Sequence, residues 1–251
     1  MIQDNFKSLL TMKKLLLLAM FAMVCIISQA QTEFGIFNHV GVGVGLGTTG
    51  FDFELSAPVT DYLQLRAGYT FFPKVSYDDD VEYRAKGGTY KETNIEGKLN
   101  MSNAKLLVDI YPFPKFTFHA TVGAFMGSDE IIKAENTIPV LDYSDGSGIE
   151  IGDYIVGFNS DGYAQAAIKV NKFKPYVGIG FGRAVPRKRL GVSFDLGVQF
   201  WGSPGIYEKQ TGTYQKVTSS DLGGDDDGLI DNLSKISIWP VMTLRLNGRI
   251  F

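Results

Sequence analysis

Between residues 190 and 200 the even positions read Leu190, Val192, Phe194, Leu196, Val198 and Phe200, and the odd positions read Gly191, Ser193, Asp195, Gly197 and Gln199. Alternation of period two over that length predicts a strand with one apolar and one polar face. The same period recurs along the chain. Val40, Val42, Val44 and Leu46 predict a first strand, and after a turn at 47–50 the phase flips to Phe51, Phe53 and Leu55 in a second. Odd positions 63–71 predict a third strand, even positions 104–110 and 116–126 a fourth and fifth, and Val177, Ile179 and Phe181 a sixth. The stretch 190–200 is the seventh, and Ile236, Ile238, Met242, Leu244 and Leu246 place an eighth. Beyond Ala30 no segment keeps the 3.6-residue period of a long helix.

The connections sort by length. Those at 58–61, 112–115 and 184–188 are short, whereas 72–103, 128–174 and 202–235 run to roughly 30–45 residues, far above the usual ~4–6. Short and long alternate in order, as tight periplasmic turns on one rim and long extracellular loops on the other would make them. The predicted fold is all-β, a closed antiparallel transmembrane β-barrel of eight strands. Strand-like patches at 149–156 and 164–170 leave ten strands open.

The apolar face is expected to meet lipid. Tyr62, Phe71, Phe72, Tyr111, Phe116, Tyr176, Trp201 and Trp239 fall at strand ends, where interfacial aromatic girdles sit. The polar face carries Asp52, Glu54, Arg66, Lys105, Asp109, Asp195, Arg245 and Arg249 among glycines, which suits the crowded interior of a narrow barrel. A soluble exported barrel binding an apolar ligand would require every strand to be inverted.

The N-terminal region reads as an address. Lys13 and Lys14 precede an apolar run at 15–27, then Ser28-Gln29-Ala30. This predicts a signal peptide starting at Met12 and cleaved after Ala30, with 1–30 as upstream extension plus signal and 31–251 as the barrel domain. The run is shorter than the ~20 residues of a spanning helix. Cys25, the only cysteine, lies inside it, so disulfides and a zinc–cysteine site are excluded from the cleaved chain, and Val24 ahead of it does not suit lipoprotein processing. At 45% hydrophobic and 13% aromatic the composition is not that of a disordered protein. A formal charge of −3 without clustered Lys and Arg argues against a nucleic-acid partner.

On this strand and loop plan, over 40–251, the sequence resembles the small bacterial outer-membrane β-barrels, a group that includes OmpA-like and OmpX-like domains and the porin-like barrels. Its end, PVMTLRLNGRIF at 240–251, is similar to the C-terminal signal that such proteins present to the barrel-assembly machinery, with Phe251 as the terminal aromatic. Leu244 and Leu246 are even and Phe251 is odd, so the match needs a bulge near Gly248 or a frayed end. The resemblance implies an outer-membrane location, membrane lipid as the surroundings and the assembly machinery as a partner in biogenesis.

Other motifs in the chain have simpler readings. GLGTTG at 45–50 matches a dinucleotide fingerprint, but a strand follows where that motif needs a helix N-terminus. GGDDDGLIDN at 223–232 resembles a calcium loop through Asp225, Asp227 and Gly228, yet lacks the first acidic ligand and the closing glutamate, so a solvated acidic loop is the simpler expectation. YDDD at 77–80 is weaker still as a motif. Of the two histidines, His39 and His119, the second shares a face with Thr121; a lipid hydrolase would need both toward the bilayer, whereas the phase aims them at the lumen. No enzyme activity, metal or cofactor is expected.

The lumen charges remain. A symmetric turn at 58–61 would set Glu54 opposite Arg66 as a cross-strand ion pair. Asp52, Glu54, Asp109 and Asp195 balance Arg66, Lys105, Arg245 and Arg249, and eight strands enclose room for side chains rather than a wide pore. The expected function is that of a charge-plugged envelope barrel, structural or contacting a surface partner through long loops rich in Tyr, Asp, Gly and Lys. A small-solute or ion channel is the alternative, marked by an open lumen. A lipid-modifying enzyme is the third.

Overall fold

The computed structural model describes residues 35–143, 146–151, 154–210, 213–217 and 237–250. The signal segment, the 223–232 loop with Asp225 and Asp227, and Phe251 lie outside the described residues. Within them the chain forms, in order, β1 (Gly41–Gly47), β2 (Gly50–Thr60), β3 (Leu63–Phe71), β4 (Val75–Arg84), β5 (Tyr90–Leu99), β6 (Ser102–Ile110), β7 (Phe118–Gly127) and β8 (Glu130–Asn136). There follow β9 (Gly148–Ile151), β10 (Tyr154–Gly157), β11 (Gln165–Lys169), β12 (Phe173–Phe181), β13 (Leu190–Phe200), β14 (Gly205–Gln210), β15 (Thr213–Lys216) and β16 (Ile238–Arg249).

Eight strands close into an antiparallel barrel in the order β1-β16-β13-β12-β7-β6-β3-β2. The seam is the β1–β16 pair, which runs from Gly41 opposite Arg249 to Gly47 opposite Thr243. That register has no break at Gly248, so the bulge that the C-terminal phase called for is not there. The barrel has eight strands and not ten. The patches at 149–156 and 164–170 form β9, β10 and β11, which are 4, 4 and 5 residues long, and a spanning strand needs about 9–11.

Period two sets the faces. Along β2 burial alternates without a break through Asp52, Glu54 and Ser56, while Phe51, Phe53 and Leu55 lie exposed between them. Phe181, Leu196, Leu244 and Leu246 continue the exposed belt round the barrel. A continuous girdle of bare aromatic and aliphatic side chains is unsuited to water. It suits hydrocarbon, where a closed ladder also leaves no backbone group unpaired. The molecule is a transmembrane β-barrel of the outer-membrane type. Phe194→Arg, at the middle of β13, is expected to destabilise the inserted barrel by about 2–4 kcal/mol and Phe200→Arg, at its rim, by about 0–1, a contrast that urea titration from phosphatidylcholine bilayers would measure.

The aromatic girdle is only partly as expected. Tyr62, Phe71 and Phe116 are exposed at the rims, but Tyr111, Tyr176 and Trp201 are buried. Tyr111 continues the inward phase of Leu107 and Asp109, and Tyr176 that of Lys174. Residue parity, not nearness to the interface, decides which way a strand-end aromatic points.

The long connections are themselves largely strand. Beyond one rim the chain builds a second, eight-stranded sheet in the order β10-β9-β4-β5-β8-β11-β14-β15. Backbone bonds carry the pairing across the joint, with Asn100 N donating to Ile131 O (2.9 Å), Val170 N to Asp129 O (2.8 Å) and Asn171 N to Trp201 O (2.9 Å). The sheet curls enough for β10 to reach β14, where Gly157 N donates to Glu208 Oε1 at 2.7 Å. Tyr83, Ala85, Val140, Ile149, Val156 and Ala164 form its apolar core. On this rim only the β1–β2 turn at 48–49 stays short.

Candidate functional site

The lumen is where the chemistry-bearing side chains gather. Glycines on the inward phase make space for long neighbours: a Cβ at Gly68 would lie 2.8 Å from Lys105 Cε, and one at Gly180 2.6 Å from His119 Nε2. Arg66, fully buried, lies 2.7 Å from Asp109 Oδ1, 3.3 Å from Asp195 Oδ2 and 3.5 Å from Glu54 Oε2, and donates to Thr121 Oγ1 at 3.3 Å. Lys105 Nζ bridges Asp52 (2.6 Å) and Glu54 (2.7 Å). Arg245 pairs closely with Asp195 and stands 3.6 Å from both Asp52 and Glu54. His119 Nε2 is 2.8 Å from Asp195 Oδ1, and its Nδ1 faces Thr117 O at 3.3 Å.

Seven of the eight expected residues, Asp52, Glu54, Arg66, Lys105, Asp109, Asp195 and Arg245, therefore meet in one buried layer. Arg249 does not. It is half-buried at the short-turn rim, opposite Gly41, and no ion pair joins it to the layer. His119 and Thr121 stand in the layer instead. Glu54 and Arg66 do pair, but diagonally: Glu54 stands opposite Gly68 and Arg66 opposite Ser56, because a register shift between Pro58 and Thr60 makes the turn asymmetric. The long arginine side chain spans the offset.

Both ends of the layer are covered. At the short-turn rim the β12–β13 connection folds into the mouth. Ser56 Oγ donates to Ala184 O (2.9 Å), Val185 N to Gln64 Oε1 (3.0 Å) and Asn247 Nδ2 to Arg183 O (3.1 Å), and Val185 is fully buried. Tyr111 links this turn to the layer, its hydroxyl donating to Gln64 Oε1 at 3.2 Å, its ring 5.1 Å from His119 and 4.4 Å beneath the Arg183 guanidinium. On the other side Leu107, Phe125, Tyr176 and Val241 form an apolar cluster. Beyond it Lys174 Nζ donates to Asn103 Oδ1 (2.8 Å) and Ser128 O (2.7 Å). Met101, Ile131, Val170 and Trp201 then cross the joint, with Trp239 stacked on Trp201 at 4.6 Å between ring centroids.

The inserted turn escaped sequence reasoning. Its one signal was an apolar pair, Ala184 and Val185, inside an otherwise basic segment. Among the described residues no three His, Cys, Asp or Glu side chains converge as a metal-ligand set.

No protein-family model matches the sequence, and no curated protein matches it. Solved structures do. The crystal structure of Acinetobacter baumannii CarO2 is 19% identical with a TM-score of 0.48, over 84% of this chain and 98% of that one. That of Acinetobacter baumannii CarO is 18% identical with a TM-score of 0.48, over 85% and 99%.

Proposed function

We propose that this is a sealed outer-membrane barrel that acts through the sheet it raises above the bilayer, as an envelope structural or surface-contact protein. The observation that carries the reading is the burial, one above another in the lumen, of the β12–β13 turn, the ion-paired layer and the apolar cluster. A conducting path needs mobile water beside its charges, whereas each charged side chain of this layer has a partner of opposite sign within 4 Å. The rival enzyme reading lacks an accessible site, since His119 and Thr121 are buried in the lumen rather than turned to lipid. In the same reading the chain is cleaved after Ala30, and its C-terminal sequence, with Phe251 as the terminal aromatic, is offered to the assembly machinery.

The test is conductance of 31–251 in a planar bilayer, after heat-modifiable gel migration has shown a folded barrel. A silent bilayer is expected. Discrete current steps that change on Asp195→Asn would overturn the sealed barrel and put the channel in its place.

A further inference from the structure

The raised sheet is unevenly charged. In the β4–β5 ladder Asp78 stands opposite Glu96, Asp80 opposite Asn94 and Glu82 opposite Glu92. Acids therefore face each other as direct cross-strand neighbours, an arrangement that weakens a hairpin. Nearer the membrane the repulsion is answered. Lys98 lies 2.7 Å from Glu96 and 3.5 Å from Glu135, and Lys133 lies 2.8 Å from Glu135. Burial pushes the Glu135 carboxyl up, but the hydrogen bond from Lys133 and the charges of Lys133 and Lys98 outweigh it and hold the group below its ordinary range. Farther out, no ion pair among the described residues joins Asp80, Glu82 or Glu92, and Lys91 turns to Asp142 at 3.2 Å.

Against this outer stretch lies the segment 137–142. It is pinned by Thr137 N to Asn94 O (2.9 Å), Asn136 Nδ2 to Ile138 O (2.6 Å) and Val140 N to Gly162 O (2.9 Å). Pinning buries Val140 yet leaves Ile138 67% and Leu141 81% exposed. Hairpin and segment flank an open groove of about 580 Å³, lined by the apolar Tyr83, Ile138 and Leu141 and by the carboxylates Asp80, Glu92 and Asp142. Asp80 lies nine residues beyond the end of β3, in the sheet raised beyond the barrel rim, so the groove stands outside the membrane-spanning strands.

We propose that this groove docks a polypeptide segment in which lysine or arginine alternates with bulky apolar side chains. The carboxylate rim complements the cations and relieves the cross-strand repulsion, while the apolar stems and side chains cover Ile138 and Leu141. A bare metal ion has no use for the apolar walls and finds no converging ligand set here. The inference rests on the raised sheet being the working part of the molecule.

The experiment uses the full cleaved chain in phosphatidylcholine nanodiscs, with empty discs as the blank and a fluorescent eight-residue peptide of alternating Lys and Leu as the probe. Saturable binding above the blank is expected, weakened at least about fivefold by Asp80→Asn with Glu92→Gln and, separately, by Ile138→Ser with Leu141→Ser. Binding no greater than to empty discs, or less than about fivefold weakening by either double variant, overturns the docking groove. All four side chains are at the surface of the raised sheet, and heat-modifiable migration together with unchanged resistance of the raised sheet to trypsin confirms that barrel and sheet of each variant are folded. A silent bilayer without peptide binding sinks the groove and leaves the sealed barrel standing; current steps together with peptide binding do the reverse.

Discussion

Arg66→Ala is expected to destabilise the folded barrel by about 3–5 kcal/mol. Three carboxylates share this one guanidinium, and Arg66 is fully buried. Glu54 would keep Lys105 and Arg245, and Asp195 would keep Arg245 and His119. Asp109 would keep the hydroxyls of Thr121 at 2.8 Å and Tyr111 at 3.5 Å and His119 at 4.0 Å, but no lysine or arginine. Leaving a buried charge without its partner costs about 3–5 kcal/mol, a large part of the roughly 5–15 kcal/mol that holds a domain folded. Replacing both partners, Arg66→Met with Asp109→Leu, is expected to recover most of that loss, because an apolar pair of similar volume has no desolvation cost to offset. The heat-modifiable fraction after refolding and the urea midpoint measure both. Arg66→Ala folding within about 1 kcal/mol of the parent would mean that water already screens the layer, and the sealed lumen would lose its main support.

That layer was largely legible in the sequence because lipid enforces the period. A one-residue slip in β13 would turn Asp195 to hydrocarbon and Phe194 to the charges, so parity alone fixes the inward set. Parity says nothing about register, which is why the diagonal Glu54–Arg66 contact depended on a bulge that could not be seen. Position at a strand end likewise did not say whether Tyr111 or Trp201 faced outward. Arg249 was on the inward phase but too near the rim to reach the layer. The raised sheet was hidden for another reason. Both faces of β4 and β5 meet water along much of their length, so VSYDDDVEYR and YKETNIEGKL carry no lasting alternation and read as loop.

Trp239→Ala is expected to separate the two storeys of the molecule. Trp239 packs on the apolar cluster of the barrel and on the cluster at the joint, and stacks on Trp201 with the rings 4° from parallel. Emptying such a site costs about 3–5 kcal/mol. The loss falls at the joint, because β16 keeps its ladders to β1 and β13 and the ion-paired layer lies below. Trypsin is then expected to cut at lysines of the raised sheet while a barrel fragment stays protected. The chain has two tryptophans, so the emission left in the variant comes from Trp201 alone and is expected to shift to the red as water enters the joint. Simultaneous loss of the heat-modifiable barrel would instead mean that the two sheets unfold as one unit. If the sheet comes loose while the barrel stays inserted, the same variant assigns any surface contact to the raised sheet: contact should vanish, with insertion and electrical silence unchanged.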